Sequence, residues 1–233
     1  MSGRSSRLPA TNGGLGKLRF PPRSTPAALL AFAVALAVGH HLPAFLPNRP
    51  GDWVDLLTPF AVVGAAAALL LALRPPAWLA VPAGAAAVAY VDGHGIHLAA
   101  NSIRHEEPTG AVEARANFWD EEFGHLEWHL GLLGFLAVVA ACPPVATPAH
   151  RRRGIVAASA VLLGFTLFTS SVEGGTWPLV LAAAVLLLPY GLLRARTVAA
   201  TTIAAALAFA AALMGAWALL QGGMPEFSDA GWL

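Results

Sequence analysis

Residues 54–73 have the sequence VDLLTPFAVVGAAAALLLAL, a run of 20 residues with a single charge at Asp55. A helix needs about 20 mostly apolar residues to cross the hydrocarbon core of a bilayer. Long runs rich in Ala and Leu, without the alternation of a barrel strand, favour a helix. This stretch therefore predicts a transmembrane helix.

The whole chain has the same character. Of its 233 residues, 57% are hydrophobic and 12% are charged, and the mean hydropathy is +0.63. Soluble domains carry about 25% charged residues, so the composition excludes a water-soluble domain, a disordered chain and a nucleic-acid-binding protein. The single cysteine, Cys142, excludes a disulfide scaffold. The composition predicts a protein that crosses the membrane several times.

We predict an all-α integral membrane bundle of seven transmembrane helices. The spans lie near 26–46, 54–73, 77–103, 117–141, 155–173, 177–193 and 198–221. Residues 1–25 form a flexible basic tail, 26–221 form the transmembrane domain, and 222–233 form a short tail after the last span.

The basic residues predict the orientation of this bundle. All of the 14 Lys and Arg residues except Arg49, Arg104 and Arg115 fall on the same side as the N-terminus. Cytoplasmic loops are enriched in Lys and Arg. The N-terminus is therefore expected in the cytoplasm and the C-terminus outside, in a multi-pass protein of a prokaryotic plasma membrane.

Acidic and histidine side chains collect on the opposite side. Every histidine except His150 lies on the extracytoplasmic side or within a few turns of it. The inner half of the bundle is nearly pure Ala, Leu and Val. We therefore expect the functional site at the extracytoplasmic face.

The third span ends in a stripe of possible metal ligands. His94, His97, Asn101 and His105 fall within about 80° of one another on a helix, and Asp92 points the other way. Two histidines three residues apart can share an ion, and Asn101 could orient a ring or a water. The alternative is a frayed helix end with solvated histidines.

The fourth span begins with a second stripe. Glu121, Glu122, His125 and His129 fall within about 100° of one another. Glu-x-x-His and His-x-x-x-His spacings put donors on one helical face, as zinc and di-iron sites require. On the same arithmetic Asp120 and Glu127 lie on the far side of the helix. The alternative is a solvated, acidic first turn favoured by the helix dipole.

A short loop joins these two spans, so we expect them to be antiparallel neighbours whose stripes face each other. The predicted metal ligands are His94, His97, His125, His129 and Glu122. The ion is a divalent metal, with zinc or iron first and manganese or copper open. Three further residues are expected to contact substrate or to support the ligands: Asn101, His41 and Ser171.

These features predict a membrane-embedded, metal-dependent hydrolase of a lipid or other apolar substrate. The metal would activate a water, and Glu122 or Glu173 would transfer protons. Asp92 and Glu127 would support the rings or form a separate proton-carrying pair. The alternatives are oxidative chemistry at two metal ions, a proton or divalent-metal transporter, and a haem- or copper-binding redox protein. The oligomeric state stays open.

The seven-span plan with an intramembrane His, Asp, Glu and Ser set resembles the superfamily of membrane hydrolases that includes alkaline ceramidases and adiponectin-receptor-like proteins. Those proteins have a His-x-x-x-His pair in a late span, whereas His125 and His129 lie in the fourth. The resemblance is one of plan and not of motif, and it assigns no family.

Overall fold

A computed structural model of the chain describes residues 25–46, 48–104, 106, 108–144, 153–194 and 197–232. The described residues form seven helices and no strand, which confirms the all-α prediction. The helices are α1 Thr25–Phe45, α2 Asn48–Leu73, α3 Ala80–Arg104, α4 Ala111–Ala141, α5 Arg153–Glu173, α6 Trp177–Leu193 and α7 Val198–Gln221. A short 3₁₀ turn, Ala77–Leu79, leads into α3.

Five of these helices are long and apolar enough to cross a membrane, namely α1, α2, α4, α5 and α7. Helix α6 is apolar but has 17 residues. Helix α3 has 25 residues and carries polar side chains along its second half. The chain is therefore of the membrane-spanning type, while the count of seven spans and the orientation of the termini stay predictions.

Large apolar side chains on the outside of the bundle fit a lipid environment. Val81 is 78% exposed on α3, Leu71 is 56% exposed on α2 and Leu193 is 88% exposed on α6. Soluble monomers avoid extensive exposed apolar surface. In a bilayer these faces would contact acyl chains.

Some predicted features lie outside the described residues. These are residues 1–24 of the basic tail, His105, the basic residues Arg151 and Arg152, and Arg196.

Helices α3 and α4 pack backbone against backbone through glycines. A Cβ added to Gly131 would lie 2.7 Å from the Cα of Tyr90, and one added to Gly93 would lie 2.9 Å from the carbonyl oxygen of Gly124. Position 93 of α3 thus meets position 124 of α4, while position 90 meets 131. The two helices are antiparallel neighbours, as the short loop predicts. Their glycines let the polar stripes approach closely.

The segment after α7 folds back onto the bundle instead of leaving it. Gly222, with a φ of 72°, ends α7 in the left-handed conformation that favours glycine. The indole nitrogen of Trp217 then donates to the carbonyl of Pro225 at 2.9 Å. The ring of Phe227 packs 4.7 Å from Trp217 and 5.4 Å from Phe168 between centroids. This segment, residues 222–232, caps one end of the bundle, and we call it the C-terminal cap.

Candidate metal centre

A cavity of about 650 Å³ opens at the end of the bundle that the C-terminal cap covers. It lies where α1, α3 and α5 end and where α2 and α4 begin. Three histidines and six carboxylates contribute to its wall: His40, His97, His125, Asp55, Asp120, Glu121, Glu173, Glu226 and Asp229. Arg104 is the arginine among these lining residues. Such an excess of carboxylates creates a negative potential that attracts cations.

His97, Asp120 and His125 form a compact group of possible metal ligands. One donor atom from each lies within 4.8 Å of the donor atoms of the other two. Nδ1 of His97 is 2.5 Å from Oδ1 of Asp120, and the two imidazole centroids are 4.6 Å apart. His125 and Asp120 are buried and His97 is partly buried. Two imidazoles and a carboxylate suit zinc or iron.

A π-helical turn, Phe118–Gly124, aims Asp120 into this group. The main-chain N–H of His125 donates to the carbonyl of Asp120, five residues earlier, in place of four. Residues five apart in an α-helix are rotated by about 140°, whereas an i→i+5 turn brings them close to alignment. The expectation that Asp120 lies on the far side of the helix from His125 is therefore wrong.

The same turn directs Glu122 away from the cavity. Its side chain is exposed, and it is absent from the described residues that line the cavity. Glu121 takes the position beside the histidines, with its Oε2 3.2 Å from Nδ1 of His125. Glu122 shares a face with the histidines only under regular α-helical rotation, which the π turn interrupts.

Arg104, at the end of α3, holds the acidic turn of α4. Its Nη1 is 2.9 Å from Oδ2 of Asp120, and the guanidinium also pairs with Glu121. Asp120 thus contacts His97 through one oxygen and Arg104 through the other. Partners of this kind fix the orientation of a metal-binding carboxylate.

His94 is buried next to the metal-ligand group and is bonded to α2. Its Nε2 is 2.9 Å from the carbonyl oxygen of Asp55 and 3.1 Å from Oδ1 of the same residue. Because both partners are acceptors, Nε2 carries the proton. The His94 ring centroid lies 6.2 Å from that of His97. Asp55, the single charge in the apolar run 54–73, is thus paired with a buried histidine.

His129 lies one turn deeper in α4 and is fully buried. Its Nδ1 is 2.8 Å from the carbonyl oxygen of His125, and its Nε2 is 3.2 Å from Oγ of Ser170. A carbonyl only accepts hydrogen bonds, so Nδ1 is the protonated nitrogen. Nε2 is then free to accept the hydroxyl proton of Ser170.

The residues predicted to support the site take different positions. Asn101 lines the cavity. His41 packs its ring 5.4 Å from that of Phe165, and its neighbour His40 faces the cavity instead. Ser171 is buried and donates to the carbonyl of Leu167 within its own helix.

Glu173 lines the cavity and binds the C-terminal cap. Its Oε2 accepts from the main-chain N–H of Phe227 at 2.8 Å and from that of Ser228 at 3.3 Å. One carboxylate oxygen is thereby committed to holding the cap.

Asp92 and Glu127 lie together but outside this cavity. Asp92 is exposed and lines a separate, mainly apolar cavity of about 570 Å³. Oε2 of Glu127 is buried without a hydrogen-bond partner among the described atoms, and Asp92 is close enough to act on it electrostatically. Neither carboxylate lines the metal-site cavity, and a proton-carrying role for the two stays a prediction.

Glu226, on the C-terminal cap, lines the cavity with a carboxyl group whose pKa is shifted. Burial, followed by the charges of Glu121, Glu173 and Asp229, raises the pKa of Glu226 above its usual value. A carboxyl group with a raised pKa is better suited to proton transfer near neutral pH.

Several residues that line this cavity have no functional role in the prediction from sequence, among them Arg104, Asp120, Ser170 and Glu226. Arg104 enters that prediction only as a topological charge, and the sequence does not distinguish Ser170 from its neighbour Ser171. Phe227 and Trp232 are the sequence features that could have predicted the cap, because two aromatic residues in a polar tail indicate that the tail packs against the bundle.

Comparisons of the chain with protein-family models, with curated proteins and with solved structures find no match. No relative therefore assigns a role to any residue of this cavity.

Proposed function

We propose that the chain is a membrane-embedded, metal-dependent hydrolase whose ion is held by His97, Asp120 and His125. The observation that carries this proposal is the grouping of their donor atoms within 4.8 Å of one another on the wall of an open cavity. Catalytic zinc sites use three protein ligands of this kind and keep a fourth position for water. Zinc is the first choice of ion.

The depth of these groups supports a functional role. Ionisable residues within membrane-spanning helices are costly and usually mark a functional site. Asp120 is 1% exposed, and His97 and Arg104 are both in contact with it. An ion would replace the direct contact between His97 and Asp120, and Arg104 would remain as the outer partner of the carboxylate.

The chemistry follows from the ion and the surrounding carboxylates. A bound zinc lowers the pKa of its water toward neutrality and polarises a substrate carbonyl. Glu226 is the carboxylate best placed to move protons, because its pKa is raised and one oxygen of Glu173 already binds the cap.

A second cavity could take an apolar part of the substrate. A cavity of about 440 Å³ between α3 and the start of α4 is lined mainly by apolar side chains, including Ile96, Ile103 and Trp119. Trp119 directly precedes Asp120 in the chain. We therefore propose a lipid or another molecule with an apolar tail and a hydrolysable ester or amide.

The ligand set also favours a second candidate function. Two histidines and one carboxylate with open positions are the ligands of non-haem iron oxygenases. The two candidates differ in their ion and in their need for oxygen.

Product analysis tests the proposal. The detergent-purified protein is incubated with total membrane lipid, with and without a chelator, and products are identified by mass spectrometry. We expect a metal-dependent release of hydrolysis products that is lost in Asp120→Asn and kept in Glu122→Gln, whose side chain is exposed.

Hydrolysis products that form equally after chelation and in Asp120→Asn would refute the metal-dependent hydrolase. Products that contain added oxygen and require molecular oxygen would favour the iron oxygenase instead.

A further inference from the structure

We propose that Ser170 and His129 form a nucleophile–base pair that cleaves the substrate through a covalent acyl-serine. The inference takes its substrate class, an ester or amide, from the proposed hydrolase function. Its geometry rests on Ser170 and His129, which are not members of the metal-ligand group, although His129 bonds to the main-chain carbonyl of His125.

The hydrogen bond between the two side chains has a defined direction. Oγ of Ser170 is 3.2 Å from Nε2 of His129, and Nδ1 of His129 donates to the carbonyl of His125 at 2.8 Å. The carbonyl fixes the proton on Nδ1, so Nε2 accepts from the serine hydroxyl. A serine is activated as a nucleophile when it bonds to a base and a third group orients that base. Here His129 is the base and the carbonyl of His125 is the third group.

Ser170 differs in this respect from other helical hydroxyls of the chain. Serine and threonine within helices commonly bond to the carbonyl four residues earlier. Ser171 does so with Leu167 at 2.5 Å, and Thr202 does so with Val198 at 2.7 Å. The hydrogen bond of Ser170 crosses to another helix instead, where a histidine accepts it.

Ser170 shares a cavity wall with the metal-ligand group. Gly174, one turn further along, has no side chain, and a Cβ there would lie 2.9 Å from Cγ of His125. Both Ser170 and Gly174 line the cavity together with His125. A substrate carbonyl in this cavity can therefore reach both the serine and the proposed ion, which would polarise it.

The proposed reaction has two balanced steps. In the first, Oγ of Ser170 bonds to the carbonyl carbon and its proton passes to Nε2 of His129. The bond to the leaving alcohol or amine then breaks, and the leaving group takes that proton. In the second step, water bonds to the acyl carbon and gives a proton to His129. Ser170 recovers this proton as the carboxylic acid leaves.

Labelling with an alkyl fluorophosphonate tests the pair. This probe phosphonylates activated serines with loss of fluoride, and peptide mapping by mass spectrometry locates the labelled residue. We expect label on Ser170 in the full-length, detergent-purified protein and in Ser171→Ala, and none at this position in Ser170→Ala. His129→Gln should label at least about 100-fold more slowly, because a general base contributes about that much or more.

The Asp120→Asn variant separates this proposal from the metal-dependent function. Label that persists on Ser170 in Asp120→Asn, while lipid turnover is lost, supports both proposals. Label on Ser170, together with lipid turnover that a chelator does not reduce, supports the pair and refutes the metal-dependent hydrolase. A monodisperse wild-type protein with a cooperative melting transition that takes no label refutes the pair. Equal labelling rates in wild type and in an equally folded His129→Gln also refute it.

Discussion

The two carboxylate oxygens of Asp120 contact two different side chains of the candidate site. Oδ1 lies beside His97, and Oδ2 accepts from Arg104. The ligand and its positioning partner both come from α3, while Asp120 itself comes from α4. The site therefore depends on how closely these two helices pack.

Arg104→Gln should lower the affinity of the protein for zinc by about 10- to 100-fold, which is the usual effect of removing an outer partner of a metal ligand. The loss is partial because His97, Asp120 and His125 remain. Isothermal titration with zinc measures it. Arg115→Gln is the control, since Arg115 is exposed and does not line the metal-site cavity. Equal affinities of the two variants would contradict the positioning role of Arg104.

Both histidines of the metal-ligand group are among the four that the sequence predicts as ligands, whereas His94 and His129 lie outside the group and its carboxylate was not predicted. His97 and His125 stand near the ends of long apolar runs, where an ionisable side chain is costly and therefore informative. Asp120 stands among three consecutive acids, so composition cannot choose among them. The choice depends on helix rotation, and regular α-helical rotation favoured Glu122.

At the scale of elements, the apolar runs predicted the helices well because burial in lipid requires about 20 consecutive apolar residues. The π turn at Phe118–Gly124 has no comparable signature. Its i→i+5 hydrogen bond adds one residue to a turn without changing the apolar pattern, and such turns are frequent at functional sites.

Insertion of one alanine after Glu122 should abolish metal binding while leaving the helical content unchanged. The insertion places Asp120 six residues before His125, a separation that neither an α-helical nor an i→i+5 turn aligns. Elemental analysis and circular dichroism measure the two quantities. Glu122→Ala keeps the spacing and should retain the ion. Full metal binding in the insertion variant would show that the spacing between Asp120 and His125 does not position Asp120.

At the scale of the whole molecule, the cavity is closed on one side by the C-terminal cap. Glu173 on α5 holds the cap through the amides of Phe227 and Ser228. The polar, short sequence of this segment predicts a simple tail. Its aromatic residues pack on Trp217 and Phe168 instead.

Docking of the C-terminal cap should weaken as the pH rises. The pKa of Glu226 is raised in the folded protein by burial and by Glu121, Glu173 and Asp229, against a weaker opposing effect of His125. Below its unfolded pKa of 4.5 the group is protonated in both states, and the cap is most stable. This stability is lost as the pH rises through the raised folded pKa.

Hydrogen–deuterium exchange of residues 222–232 measures this effect between about pH 4 and about pH 8. Glu226→Gln should protect the cap more than wild type does at the upper end of this range and equally at the lower end. Comparison of the two proteins at the same pH cancels the intrinsic dependence of the exchange rate on pH. Equal protection of the two proteins at both ends would contradict a penalty for the Glu226 charge.

The orientation of the bundle has a direct test at the cap. The native Cys142 is 1% exposed, so it gives little background labelling. Gly223 is exposed and a Cβ there meets no atom within 4 Å. Gly223→Cys should react in intact cells with a membrane-impermeant thiol reagent, because the C-terminus is predicted to lie outside. Reaction only after the membrane is broken would reverse the predicted orientation.

The central claim is that His97, Asp120 and His125 bind one divalent ion. Elemental analysis of wild type, Asp120→Asn and Glu122→Gln, purified in parallel and equilibrated with zinc, tests it most directly. We predict about one ion per chain in wild type and in Glu122→Gln, and none in Asp120→Asn. A folded wild-type protein without an ion, or an equal metal content in Asp120→Asn, would contradict the claim.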